Sequence, residues 1–536
     1  MHKSVRFVVF VANKYNGGAS WLGIAYLVSS LRKVNYDVSV KYYIANEMDQ
    51  AIRETIMDDI QIVCLSILQS NYSDSVAYIK SIKKSKKDIV TIVGNIIPSL
   101  YPYIVMKKCP EIDYISIGEG EESLPELLDI ISKEYASPSS YLQKCKGIAY
   151  RSQKEIIITD HRPLIENLDL IPFPSRDIYY KQPTAYGIIS SRGCNGHCTF
   201  CASRAIHYGK VRTRSIENVI EEVKHIMQRY NCTQIGFYDA TFCSSNDTFI
   251  PRLTALYNGI VKENIHTYFQ INMRPEQIND ENIMIINKMI NIGLNQILVG
   301  FESGNNNDLH LYGKGITVED NMRAISTLRK LGCFQPSSKV YIEYGFINFH
   351  PYSSIKSLFD NGLFFQTSGL PLSFMELCSR MQLYEGAAIC KHVKADGMLR
   401  EDGDFIIDPT NYRFQDENVR SIFEVLTHAK VLCKDNIKHN FTQHYRIWRE
   451  EFPKNSHNEK LFDTYYSYIK RLSNFCLSIY FQLLSSLPFD VQRKKKFIEE
   501  EVYSFLAETK IVRTQIQNFQ SRILMDLCKI DKIIIY

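Results

Sequence analysis

From Val5 to about Lys133, short apolar runs alternate with segments whose apolar residues recur at helical spacing. "VRFVVFVA" precedes "WLGIAYLVSSLRK", and "DVSVKYY" precedes a polar helix. "IQIVCLSI", "DIVTIVG" and "DYISIG" follow as further strands, each with a helix after it. Apolar runs without strict alternation suit strands buried on both faces, and their alternation with helices predicts a doubly wound, Rossmann-like α/β sheet. Ligands on such sheets sit at the carboxyl ends of the strands.

The pattern then breaks at Pro- and Ser-rich stretches, "YASPSSYL" and "LIPFPSRDIYYKQPT", and resumes at "TAYGIISS". Six strands are expected from there: 184–191, 234–240, 268–274, 296–303, 339–347 and 372–383. Amphipathic helices lie between them, such as "SIENVIEEVKHIMQRYN", which Ser215 is suited to cap. Six βα units predict a partial (β/α)6 barrel with its chemistry in the loops after the strands. Beyond about 400 the pattern is helix and turn. The expected division is 1–145 doubly wound domain, 146–183 linker, 184–400 partial barrel and 401–536 helical C-terminal region.

Composition changes this picture little. The 536 residues carry 63 Lys plus Arg against 58 acidic residues, a formal charge of +5 with no dominant block, so no nucleic-acid partner is expected. The first apolar run is too short for a signal segment, and no uninterrupted apolar stretch is long enough to span a bilayer. The 14 cysteines are scattered through a long chain, which fits a reducing compartment; a cytoplasmic protein is expected.

Three of those cysteines are not scattered. "SSRGCNGHCTFCASR" places Cys194, Cys198 and Cys201 at a spacing of x3 then x2, directly after the first barrel strand. Zinc would need a fourth ligand, for which His197, His207 and Cys243 are available, but the spacing is not the paired CxxC pattern of structural zinc. Thiolates also ligate iron–sulfur clusters, and three of them leave one iron of a cubane open. Gly193, Asn195 and Gly196 let the backbone turn tightly there.

This motif resembles that of the radical S-adenosylmethionine (SAM) enzymes, whose CxxxCxxC holds a [4Fe–4S] cluster. Phe200 before the third cysteine matches as well, and the likeness runs over about 184–385. The resemblance implies that SAM chelates the open iron and is cleaved to a 5′-deoxyadenosyl radical. It also implies SAM-binding roles for Asp239 in "FYDATF", for Glu302 and Ser303 in "GFESG", and for Arg274 at the end of the third strand, where solvent-facing salt bridges are the alternative. "YGKVRTRS" (208–215) resembles a basic stretch that follows the cluster in one subgroup.

The doubly wound domain upstream resembles that of the cobalamin-binding members of the family, over about 1–180. In "LSIL", Ser66 and Leu68 stand in the Ser-x-Leu placement of cobalamin domains, and Gly94 lies where a glycine makes room for the nucleotide tail. Where such domains often read Asp-x-His-x-x-Gly, this chain has Asn13-Lys14-Tyr15-Asn16-Gly17-Gly18. Tyr15 is a poor cobalt ligand at neutral pH, so cobalamin without a histidine below the metal is expected, and the resemblance implies that Asn13, Tyr15 and Gly18 meet that cofactor together with Ser66, Leu68 and Gly94.

The resemblance implies methylation of an unactivated carbon in a small-molecule or peptide substrate, with an external electron donor. Ring contraction or oxidative cyclisation on the same cofactors is the nearest alternative. A tRNA methylthiotransferase is disfavoured by the helical tail and the dispersed Cys64, Cys109 and Cys145, and a non-catalytic cobalamin sensor by the intact triplet. Tyr341, Glu343 and Tyr344 on the fifth strand either face substrate or pack the core.

Overall fold

The structure, a computed structural model, describes residues 4–11, 21–133, 138–153, 155–180, 183, 185–230, 232–243, 246–335, 338–400, 406–433 and 456–518. The first sheet contains β1 (Val5–Phe10), β2 (Val38–Tyr43), β3 (Ile62–Ser66), β4 (Val90–Gly94), β5 (Tyr114–Ser116), β6 (Ile148–Ser152) and β7 (Glu155–Ile158), in the order β2-β1-β3-β4-β5-β6-β7. The pairings of β1 to β5 are parallel, and β6 and β7 add antiparallel. This hairpin carries the first sheet past residue 145, where the linker was expected to begin.

All six residues of β1 are buried, and they divide by parity. Val5, Phe7 and Val9 join one core with the helix Leu22–Lys33, whereas Val8 and Phe10 join a second core on the opposite face. The first of these cores runs on without interruption into the barrel. The segment after the hairpin reinforces the join: Ser175 N donates to Ala25 O at 3.0 Å, and Ser29 Oγ donates to Phe173 O at 2.6 Å.

The second sheet is parallel and contains β8 (Ala185–Ile188), β11 (Gln234–Phe237), β12 (Tyr268–Met273), β13 (Leu294–Glu302) and β14 (Tyr341–Phe346), in the order β14-β13-β12-β11-β8. A two-residue antiparallel ladder, β9 (Ser191–Arg192) with β10 (Arg212–Thr213), follows the first of these strands. The sixth strand expected at 372–383 is instead a helical turn, Phe374–Leu377, with an isolated parallel bridge between Phe349 and Arg380. The reason is local: Ser373 accepts from Met375 N, and Glu376 reaches back to the Ser373 N–H at 2.8 Å, a capping box that starts a helix.

Exposure alternates along the barrel strands. In β12 to β14 the residues Gln270, Asn272, Gln296, Leu298, Tyr341 and Glu343 are half-buried, and alternate partners such as Ile271, Ile297 and Ile342 are buried under the outer helices. The half-buried set lines the hollow of the barrel. The helical C-terminal region closes one side. Helix Ser456–Ser485 packs on helix Ile355–Ser368 where Gly362 leaves room, since a Cβ there would stand 2.9 Å from the Phe481 ring. Tyr480 Oη donates to Leu358 O at 3.0 Å and lies 3.2 Å from Asn348 Oδ1.

Candidate functional site

The cysteine loop leaves β9 through Gly193, whose φ is +86° and where a Cβ would stand 2.0 Å from Lys210 O; no other residue fits there. Its far side is held by the turn after helix Asn306–Leu311. Thr199 N donates to Tyr312 O at 2.7 Å, Thr199 Oγ1 donates to Leu311 O at 2.8 Å, and Phe200 packs edge-on against Tyr312.

Two of the thiols, those of Cys194 and Cys198, lie beside Gly196. A Cβ built there would lie 3.2 Å from Cys194 Sγ, 3.8 Å from Cys198 Sγ and 3.0 Å from Arg274 Nη1, so glycine keeps the space between them open. Burial raises the Cys201 thiol, and the neighbouring Cys198 and Cys194 raise it further. All three cysteines are half-buried and free. Among the described residues no three His, Cys, Asp or Glu side chains are drawn together closely enough to hold a single metal ion. None of the fourth ligands available to zinc is committed to the loop: His197 is exposed, Cys243 is buried 3.0 Å from Thr248 Oγ1, and His207 lies beside Arg212.

Arg274 and Glu302 do reach this place. Arg274 donates to Glu276 and, at 2.7 Å, to Lys314 O, with its remaining nitrogen against the cysteines. Glu302 sits at a register irregularity of β13 with φ +66°, which aims its carboxylate over Gly300 and Gly345, a pair in register. A Cβ at Gly300 would meet Glu302 Oε1 at 2.4 Å. Lys314 Nζ lies 3.3 Å from the same oxygen, both side chains being mostly buried. Lys314 was missed in the sequence; its only local signal is the pair of flanking positive-φ glycines, Gly313 and Gly315.

Asp239 and Ser303 turn their side chains into the protein. The Asp239 carboxylate is sealed inside, accepting from Ser190 N at 2.7 Å, Ser190 Oγ at 2.5 Å and Ser191 N at 2.8 Å. Burial pushes it up to about 6 against those hydrogen bonds. Ser303 is wholly buried, its hydroxyl within hydrogen-bond reach of Asn361 Oδ1 at 2.9 Å and Asp308 Oδ2 at 3.1 Å, to one of which it donates. Both side chains are engaged with neighbouring loops in this way. Tyr344 is likewise a packing residue, between Phe301 and Phe365, whereas Tyr341 and Glu343 are on the inner face.

Next to the cysteine loop a cavity of about 470 Å³ lies between the two sheets. One wall is made by the carboxyl ends of β3, β4 and β5, including Ser66, Gly94, Asn95 and Ser116, with Gly118 and Gly120 beyond them; the other by Ile189, Arg192, Ile206, His207, Tyr238 and Ala240. Ser66 accepts from Asn95 at 2.7 Å. A Cβ at Gly94 would stand 3.3 Å from Ser116 O, a tight contact with fixed backbone, and one at Gly120 would stand 2.8 Å from a Leu27 methyl, which would have to move aside. Leu68 heads a short 3₁₀ turn next to Ser66 and is not part of the cavity lining. Asn13, Tyr15 and Gly18 lie outside the described residues.

Sequence comparison matches residues 8–128 to the B12 binding domain and residues 188–359 to the Radical SAM superfamily. The chain is a B12-binding radical SAM enzyme. Its cofactors are a [4Fe–4S] cluster, SAM and cobalamin. The enzyme is 29% identical over 320 residues to the uncharacterized methyltransferase PH0819 of Pyrococcus horikoshii, covering 58% of this chain and 67% of that one. It is 27% identical over 350 residues to the anaerobic magnesium-protoporphyrin IX monomethyl ester cyclase of Rubrivivax gelatinosus, covering 61% and 60%. In fold it resembles the cobalamin-dependent SAM radical enzyme OxsB with aqua-cobalamin and SAM bound, at a TM-score of 0.73 and 19% identity, over 98% of this chain and 80% of that one. Among the described residues of this radical SAM enzyme, no helix is long and apolar enough to cross a membrane.

The residues present fit these cofactors. The open space over Gly196 suits a cluster held by three thiolates, and the opposed charges of Glu302 and Lys314 suit the ammonium and carboxylate of an amino acid such as SAM carries. The strand-end cavity, lined by Gly94, Gly118 and Gly120, suits the buried arm of a large cofactor.

Proposed function

We propose that the enzyme transfers a methyl group to an unactivated carbon of a small organic substrate, with Cys194, Cys198 and Cys201 as cluster ligands and Ser66, Gly94 and their neighbours as the cobalamin cradle. When bound, the cluster with SAM supplies a hydrogen-abstracting radical and cobalamin supplies a methyl group. The observation that carries the reading is the single cavity whose two walls are the cysteine-bearing barrel end and the strand ends of the first sheet.

The chain's own residues supply placement. Glu302 and Lys314 orient the two charged ends of the methionine part of SAM, and Arg274 offsets negative charge beside the thiolates. Gln270, Asn272, Gln296 and Glu343 line the hollow in which substrate would lie, and Gln296 Nε2 donates to Glu343 at 3.1 Å. The buried apolar walls around them keep water from a reactive carbon. A reductant from outside the chain, delivered by an electron donor, completes the reading.

The test is anaerobic turnover of the reconstituted enzyme with SAM labelled in its methyl group. Label in the product and formation of 5′-deoxyadenosine support the reading. Cyclised, unlabelled product with 5′-deoxyadenosine would instead favour the chemistry named for the cyclase relative. Absence of SAM cleavage in the wild type, or full cleavage by Cys198→Ala, would overturn the cluster assignment.

A further inference from the structure

His207 ends the short helix Ala202–His207 that follows the cysteine loop, and it is one of the residues lining the cavity between the two sheets. Arg212 Nη2 lies 3.2 Å from its Nδ1. A guanidinium can only donate, so Nδ1 is the acceptor and the proton of the neutral ring is on Nε2. Burial, followed by the nearby Arg212 charge, pushes the imidazole down to about 4, so the ring is neutral at physiological pH. A neutral ring whose Nε2 carries the proton has no lone pair to offer a metal from that nitrogen.

The charges around the ring cancel. Arg192 pairs with Glu119 and Glu121, and Arg212 pairs with Glu119, so two guanidiniums meet two carboxylates along this wall. Among the described residues of this wall, a phosphate or carboxylate finds no uncommitted guanidinium. An uncharged acceptor does find a donor. Cobalamin has a ring whose rim carries neutral primary amides, and the barrel wall faces whatever part of that cofactor projects beyond the first sheet.

We infer that His207 is a positioning residue that donates a hydrogen bond of fixed direction from Nε2–H to an amide carbonyl on the corrin rim, and that it is not a cobalt ligand. This rests on the reading of the cavity as the cobalamin site.

The test uses the full chain with its cluster reconstituted and hydroxocobalamin as the probe. His207→Phe keeps bulk and removes the donor, and His207→Gln keeps an N–H. The dissociation constant should rise about tenfold in His207→Phe, the worth of one hydrogen bond, and stay within about threefold of wild type in His207→Gln. Equal affinity of His207→Phe and wild type, or equal weakening of both variants, would overturn the inference. The electron paramagnetic resonance of the reduced, cobalt(II) state should show no nitrogen splitting that depends on residue 207. A three-line splitting lost in His207→Gln would make the residue a ligand and overturn it as well.

Nitrogen-15 NMR of the cofactor-free wild type, assigned by the signal missing in His207→Gln, gives a readout that survives misfolding of His207→Phe. The Nε2–H tautomer is expected at pH 7, and the Nδ1–H tautomer or a charged ring would refute the hydrogen-bond assignment. Failure of the wild type to bind hydroxocobalamin at all would refute the cavity reading and the inference together, an outcome distinct from wild-type binding that the variants leave unchanged.

Discussion

Arg192 in β9 and Glu119 at the head of helix Gly120–Ser132 meet across the join of the two sheets, with Nη1 2.9 Å from Oε1. The other Glu119 oxygen accepts from Arg212 at 2.8 Å and from Ile165 N at 2.9 Å. The arrangement ties the wall of the cavity to the strand from which the cysteine loop departs. Both side chains are nearly excluded from solvent, so the geometry between cofactor sites depends on a satisfied buried network.

Removing one member should therefore cost more than a surface ion pair. Glu119→Ala is expected to destabilise the enzyme by about 3–5 kcal/mol, because two guanidiniums lose a buried partner. Burial alone would raise the Glu119 carboxyl, but Arg212, Arg192 and the Ile165 amide together hold it at about 2, below the ordinary 4.5. A depressed carboxyl stabilises the fold above its unfolded value, and that contribution is lost as pH falls from about 4.5 toward 2. Thermal melts over this window should show a steeper acid loss in wild type than in Glu119→Gln.

Asp239 has the opposite sign. Its value in the fold is raised to about 6 from 3.8, so its contribution is fully present below pH 3.8 and is lost as pH rises through 6. Asp239→Asn should flatten the stability profile between about pH 4 and pH 7. A profile unchanged by the substitution would contradict the burial of the charge.

Gly193→Ala should fail at the cysteine loop. A Cβ there would stand 2.0 Å from Lys210 O, and the backbone has φ +86°. A loss of at least about 3 kcal/mol is expected, with iron content after reconstitution well below that of wild type, as read by melting and by iron analysis.

Glu302→Gln keeps shape and removes charge. If the Glu302–Lys314 pair receives the amino-acid end of SAM, affinity for SAM measured by calorimetry should fall about tenfold or more, while cobalamin affinity is unchanged. An unaltered SAM affinity would remove Glu302 from the proposed site.

Much of the fold was legible in the sequence, because strand and helix periods are local properties of the side chains. Five of the six barrel strands lie where their apolar runs predict. The sixth failed on an equally local signal, the Ser373-x-x-Glu376 cap, which favours helix over an apolar run of ambiguous period. The three cysteines were legible for the same reason: they fall within eight consecutive residues.

The direction of a side chain was less legible. Asp239 and Ser303 occur in the expected loops but are turned inward, where backbone amides donate to their oxygens. Which face of a loop is desolvated depends on what packs over it, and no spacing rule states that. Lys314, 12 residues beyond Glu302, came to the site through the positive-φ turns of Gly313 and Gly315.

The sequence by itself determined the two βα patterns, their order and the triplet of thiols, since each is written in residues close together along the chain. The tertiary structure alone decided the cavity, the Arg192–Glu119 join over 73 residues and the Arg212–Glu119 contact over 93. These depend on burial and charge compensation between distant segments, which exist only once the two sheets share a core.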